Sequence, residues 1–312
     1  NSQLVPVENS PMVTDFIFLG MTDNSQLEVL LFGVFLIAYI ITVLENLGLV
    51  VLIRVSSRLH PMYFFLSNQS FLDVCFSSIT IPQNLAHLFS KLHSYAFLLS
   101  SLCFPVLLFA LVATECFFLA VMSYDCYIAT CNPLQYFSIM DHWSCLQLAS
   151  ASWVAGFLAF TLLIVLIFHL TFCSTNVVEH FRDLKPIMKL VCTDTEVAQM
   201  TSFICTSLFV LGPFLLTLAS YDHIITAVLR IPSATGKQRA FSTCSSHQTV
   251  VSLYYGVLSI VYGFPSRLIE VLYEDLLKLL SILYTVLTPA LNHIIYTLRN
   301  KDGKVVLRKL VQ

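Results

Sequence analysis

Residues 105–124, PVLLFALVATECFFLAVMSY, form a run of twenty residues in which Glu115 is the one charged side chain. An α-helix rises 1.5 Å per residue, so about twenty apolar residues cross the ~30 Å hydrocarbon core of a bilayer. The stretch therefore predicts a helix that spans a membrane.

Apolar stretches of similar length recur along the chain. With the one above they cover about 27–53, 62–86, 95–124, 144–168, 198–221, 246–264 and 279–298. The 312 residues are 57% hydrophobic and 11% charged, with a mean hydropathy of +0.81, whereas soluble domains carry roughly 25% charged residues. We expect an all-α fold, a seven-transmembrane helix bundle over 25–298 with an N-terminal segment 1–24 and a tail 299–312. No soluble catalytic domain fits, so an enzyme is not expected.

The basic residues predict which side each end occupies. Ten of the sixteen Lys and Arg residues lie after the first and fifth stretches and in the tail, which share one side of the membrane. By the positive-inside rule the tail is cytoplasmic and the N-terminus extracellular, as in a multi-pass plasma-membrane protein. Residues 300–311 fit a short amphipathic C-terminal helix on the inner membrane surface, and a frayed basic tail is the alternative.

Five short strings at the ends of these stretches resemble the motifs of one receptor family. They are PMYFFLS at 61–67, MSYDCYIATCNPLQY at 122–136, SYDHII at 220–225, RAFSTCSSH at 239–247 and PALNHIIYTLRN at 289–300. In this order they resemble the olfactory (odorant) receptors, a branch of the rhodopsin-like (class A) G-protein-coupled receptors. The resemblance implies a receptor that binds small odorants and signals through a stimulatory heterotrimeric G protein and cAMP.

The resemblance also implies a ligand pocket among the outer halves of helices three, five, six and seven. Tyr255 is expected to relay ligand binding to movement of helix six. The pocket positions are mostly apolar or aromatic and carry no charge, which favours a small, neutral, largely hydrophobic ligand; for each of them plain core packing is the alternative. They are Leu108, Phe109, Val112, Cys205, Phe209, Tyr255, Leu258, Ser259, Tyr262 and Thr285.

Polar side chains inside the spans indicate a second site, because a charge at the bilayer centre costs ~3 kcal/mol or more. In the family, the positions of Asn46, Asp73, Glu115 and Asn292 surround a sodium ion and waters. The alternative is a protonated Asp73 that hydrogen-bonds between helices. No other cofactor is expected, the cysteine spacings fit no zinc site, and nucleic acid is not expected as a partner.

Several departures from the family pattern affect the activation switch. The switch and G-protein-coupling positions are Asp125, Cys126, Tyr127, Tyr221, His247 and Tyr296. Cys126 stands where the family has the arginine of Asp-Arg-Tyr, and a thiol cannot make the bidentate contact of a guanidinium. We therefore expect Asp125 to lack its usual partner and coupling to be impaired, the more so because His293 replaces the proline of Asn-Pro-x-x-Tyr.

The outer loops of the family carry disulfides. Cys173 and Cys192 match two loop cysteines and are expected to pair in an oxidising compartment, with two reduced thiols as the alternative. The alternatives for the whole chain are a silent or degraded receptor-like membrane protein and, from another class, a transporter or channel.

Overall fold

The computed structural model describes residues 16–19, 25–55, 61–89, 92–95, 98–168, 177–178, 200, 204, 207–230, 233, 237, 244–245, 247–256 and 258. The seventh apolar stretch and the predicted tail helix lie outside these residues. So do the predicted site positions Cys173, Cys192, Cys205, Ser259, Tyr262, Thr285, Asn292 and Tyr296.

Long helices dominate the described part of the chain. They are α1 (Ser25–Val55), α2 (Pro61–Phe89), α3 (Leu98–Cys131), α5 (His142–Phe168) and α6 (Gly212–Arg230). A single turn, α4 (Tyr136–Ile139), lies between α3 and α5, and a π-helical turn (Ser207–Leu211) leads into α6. Residues 244–245, 247–256 and 258 are also helical and are called the 244–258 segment below.

Four helices carry windows long and apolar enough to cross a membrane: Phe32–Val51, Val106–Cys131, His142–Val165 and Ser207–Arg230. Large apolar side chains are exposed along the outer helices, for example Ile37 (61%), Phe157 (65%) and Leu216 (60%). Soluble monomers rarely expose apolar surface on this scale, so these faces suit contact with lipid. Helix α2 is more polar because Gln69, Ser70 and Asp73 point into the protein, where they are buried.

Helix α3 is the centre of the described bundle. In its apolar window 78% of the residues are buried, against 22% to 28% in the windows of α1, α5 and α6. It contacts α2, α5 and α6. Gly156 of α5 brings that helix close to α3, because a Cβ at this position would lie 1.8 Å from Thr114 Oγ1 and 3.0 Å from the Ala110 carbonyl oxygen. The span predicted at 105–124 therefore lies in the middle of the described bundle, packed against three other helices.

A small sheet was not predicted from the sequence. Strand β1 (Phe16–Leu19) pairs antiparallel with β2 (Leu92–Tyr95) and parallel with β3 (Val177–Val178). The strands satisfy the backbone hydrogen-bonding groups of segments that lie outside the helices. The all-α prediction is confirmed for the bundle, but the third span begins at Leu98 rather than at residue 95 and continues to Cys131.

Candidate functional site

Six of the ten predicted ligand positions are described, and they fall into two groups. Leu108, Val112, Tyr255 and Leu258 belong to the main buried cluster. Phe209 is buried with two alanines of α3 and α5 in a second cluster, against which Phe109 packs. The structure therefore brings four of the six together.

Tyr255 links three helices. Its ring lies 4.6 Å, centroid to centroid, from that of Phe214 on α6. Its hydroxyl faces the thiol of Cys116 on α3 and the hydroxyl of Thr217 on α6. Any shift of the 244–258 segment must therefore alter its packing on both α3 and α6.

The neighbouring Tyr254 was missed by the sequence analysis. It is fully buried, and its hydroxyl donates a hydrogen bond to the carbonyl oxygen of Val112, at 3.1 Å. Val112 is itself a predicted ligand position. The sequence feature that could have indicated Tyr254 is the pair of consecutive tyrosines in an apolar stretch. A buried tyrosine hydroxyl usually finds a hydrogen-bond partner.

The described residues of the predicted polar site are buried, and Gln69 contacts one of them. Asn46, Asp73 and Glu115 are at most 5% exposed. Glu115 Oε1 accepts a hydrogen bond from Gln69 Nε2 at 3.2 Å, and Asn46 Nδ2 donates to the Thr42 carbonyl oxygen at 2.9 Å. Gln69 precedes Asp73 by four residues and so shares its face of α2.

Two amide oxygens of this site, Asn46 Oδ1 and Gln69 Oε1, are buried and accept no hydrogen bond from the described residues. Buried oxygens of this kind suit a hard cation such as sodium, or ordered waters. Across the described ranges, no three His, Cys, Asp or Glu side chains form a metal-binding group. A sodium site would therefore depend on amide oxygens as well as on carboxylates.

Asp125 has a partner that the sequence analysis did not foresee. The Tyr136 hydroxyl donates a hydrogen bond to Asp125 Oδ1 at 2.8 Å, and both residues are buried. Burial, reinforced by the negative charge of Asp125, raises the pKa of Tyr136 far above its ordinary value, so the hydroxyl keeps its proton. Asp125 thus lacks the arginine that is its usual partner in the family, and Tyr136 binds its carboxyl instead, because α4 turns Tyr136 back against α3. The sequence feature that could have indicated this partner is Tyr136 itself, the last residue of the string at 122–136.

The other described switch residues meet at the same end of the bundle. The Tyr221 hydroxyl of α6 and His247 Nδ1 are hydrogen-bonded, and their rings stack with centroids 6.0 Å apart. The Tyr127 ring lies 5.6 Å from that of His223 on α6. Cys126 is buried and faces Cys244. Helices α3, α6 and the 244–258 segment are thus joined at this end.

Comparison with known proteins matches this arrangement to one family. A family model described as "Olfactory receptor" matches residues 35–312. The chain is 42% identical to mouse olfactory receptor 5G9 over 97% of this chain and 96% of that protein. It is also 44% identical to human olfactory receptor 2D2 and 41% identical to human olfactory receptor 8U9, each over 97% of both chains.

The chain belongs to the olfactory receptor family.

This olfactory receptor is therefore a multi-pass membrane protein of the odorant-sensing class of G-protein-coupled receptors, and not an enzyme. The family fold is a bundle of seven transmembrane helices, so the predicted architecture is confirmed. The described α1, α2, α3, α5, α6 and 244–258 segment correspond to the first six spans of the sequence analysis.

Proposed function

We propose that this receptor binds a small, neutral, largely hydrophobic odorant beside Tyr255 and signals through a stimulatory G protein at the end of the bundle that carries Asp125. The observation that carries the proposal is the position of Tyr255, in contact with both α3 and α6. A ligand that displaces this side chain would change how the 244–258 segment packs. Such a ligand shifts the equilibrium between resting and active forms in proportion to its preference for one of them.

The chemistry of the lining supports a neutral ligand. The six described positions are apolar except for the hydroxyl of Tyr255. Burying a charged ligand among them would cost its hydration free energy without a compensating partner. A hydrophobic molecule instead gains dispersion contacts and one or two hydrogen bonds.

Two hydrogen bonds mark the end that would receive the G protein. Tyr221 with His247 joins α6 to the 244–258 segment, and Tyr136 with Asp125 joins α4 to α3. An outward movement of the 244–258 segment would break the first and leave the second intact. We propose that Cys126 weakens coupling, because it offers the G protein no guanidinium. A receptor that reaches the surface yet stays silent is the second candidate, and the same cysteine favours it.

Three further expectations belong to this proposal. The receptor lies in the plasma membrane with its N-terminus outside and its tail in the cytoplasm. Cys173 and Cys192 form a disulfide in the outer loop. Asn46, Asp73 and Glu115 hold sodium or water together with Gln69 and Asn292, a proposal supported by the buried amide oxygens of Asn46 and Gln69.

The test is a cAMP measurement in cells that express the surface-labelled receptor with a stimulatory G protein, screened against neutral volatile molecules. Tyr255→Ala should lower agonist potency, efficacy or both, because it removes the contact with α3 and α6. Leu253→Ala is the matched control, since Leu253 is 46% exposed on the same segment. An unchanged response of Tyr255→Ala would refute the role of Tyr255. A surface-delivered wild-type receptor that answers no molecule, or a response that survives deletion of the G protein, would refute the signalling proposal.

A further inference from the structure

Cys126 and Cys244 form a buried pair of thiols between α3 and the 244–258 segment. Cys126 is 8% exposed and Cys244 is 6% exposed, and both are free. The Cys126 and Cys244 side chains face each other. Cys244 Sγ also lies 3.6 Å from the Thr130 hydroxyl, one helical turn beyond Cys126 on α3. Cys244 is therefore seated against the face of α3 that carries Cys126.

Neighbouring cysteines are directed elsewhere. The Cys131 thiol donates to the His223 carbonyl oxygen of α6 at 3.9 Å, and the Cys145 thiol donates to the Met140 carbonyl oxygen at 3.9 Å. Among the described cysteines, Cys126 and Cys244 are thus the two buried thiols that face each other from separate helices.

We propose that Cys126 and Cys244 are an oxidation site at which a peroxide forms a disulfide that ties α3 to the 244–258 segment. One thiol reduces hydrogen peroxide and becomes a sulfenic acid, releasing one water. The second thiol attacks that sulfur, forms the S–S bond and releases a second water. Two thiols lose two protons and two electrons in total, and the peroxide accepts all of them.

The disulfide would restrict the movement of the 244–258 segment during signalling. This consequence rests on the proposed function. If the 244–258 segment must move away from α3 to admit the G protein, a covalent link at Cys126 holds the receptor in its resting form. Reducing conditions in the cytosol keep the thiols free, so the bridge forms under oxidative load and is reversible. The residue that replaces the family's arginine thereby makes this receptor sensitive to peroxide.

The bridge is tested directly on the full-length receptor in cell membranes. Membranes are treated with hydrogen peroxide, free thiols are alkylated under denaturing conditions, and a non-reducing digest is analysed by mass spectrometry. We expect a peptide that joins Cys126 to Cys244, that disappears after dithiothreitol, and that Cys145→Ser leaves in place. Absence of that peptide from the wild-type receptor, or a Cys244 joined to Cys131, overturns the proposal.

A second readout separates the bridge from the signalling role. Peroxide should remove most of the agonist-driven cAMP response of the wild-type receptor, and should cause no comparable loss in Cys244→Ser. A bridge that forms without loss of signal overturns the resting-state lock. A receptor with no agonist response contradicts the proposed function, while the linked peptide still decides whether the thiols pair.

Discussion

Cys126 shows how one substitution changes the chemistry around it. The thiol is buried and faces Cys244, so it contributes to the contact between helices instead of presenting a charge at the end of the bundle. The Tyr136 hydroxyl donates a hydrogen bond to the carboxyl of Asp125. In the family pattern, that carboxyl pairs with the arginine. The resting contact of Asp125 is thus replaced, whereas the contact of the arginine with the G protein is not.

Restoring the arginine should therefore restore coupling. We expect Cys126→Arg to raise agonist-driven cAMP several-fold over a weak wild-type response, because a guanidinium can reach the G protein and a thiol cannot. Cys131→Arg is the matched control, since it adds the same charge to the last turn of α3. A wild-type response already as strong as that of other family members would contradict the prediction, as would an equal gain from Cys131→Arg.

The hydrogen bond from Tyr136 to Asp125 can be tested by removing a single oxygen. Tyr136→Phe keeps the ring and deletes the donor, and a hydrogen bond to a buried carboxyl is worth about 1–3 kcal/mol. We expect a lower thermal unfolding midpoint of the purified receptor. Tyr124→Phe is the comparison, because the Tyr124 side chain is 38% exposed. Equal midpoints for the two variants would show that the contact contributes nothing to stability.

Among the helices, α3 and α5 approach each other closely at Gly156. Gly156 permits this approach, because Thr114 Oγ1 and Cβ occupy the space that a side chain would need, at 1.8 and 3.1 Å from an added Cβ. The Thr114 hydroxyl also donates to the Ala110 carbonyl oxygen at 2.8 Å, so rotating it away costs a hydrogen bond. Small residues commonly allow such approaches in membranes, where packing is a main source of helix association.

We expect Gly156→Ala to lower thermal stability and the amount of receptor at the cell surface. Gly48→Ala is the matched control, because nothing lies within 4 Å of a Cβ at that position of α1. Alanine is the better helix former by roughly 0.5–1 kcal/mol, so the control should be neutral or stabilising. Adding Thr114→Ala to Gly156→Ala should recover part of the loss, as measured by a double-mutant cycle. A Gly156→Ala receptor as stable as Gly48→Ala would contradict the close approach.

For the whole molecule, the spans could be predicted from the length of the apolar runs. The contacts between the spans could not, because they depend on how the helices pack against each other. Runs of apolar residues as long as Val106–Cys131 identify a span wherever they occur. The pairing of Gln69 with Glu115 depends on how α2 and α3 are rotated, and no spacing within either helix determines that. Tyr136 was visible as part of a motif, but its contact with Asp125 required the turn of α4. The strands of the small sheet are two to four residues long, too short to carry a periodic pattern.

An odd number of spans and the charge at their ends predict the orientation of the whole chain. Arg54 and Arg230 lie in the last turns of α1 and α6. These turns are at the same end of the bundle as Asp125. Basic residues are retained on the cytoplasmic side, so this end should face the G protein.

An antibody against an N-terminal epitope should label intact cells, whereas an antibody against a C-terminal epitope should label cells only after they are permeabilised. Replacing Arg54 by Gln should leave the labelling unchanged, since the tail holds further basic residues. Both epitopes accessible on one face of the membrane would contradict the odd number of spans, and with it the route from ligand to G protein.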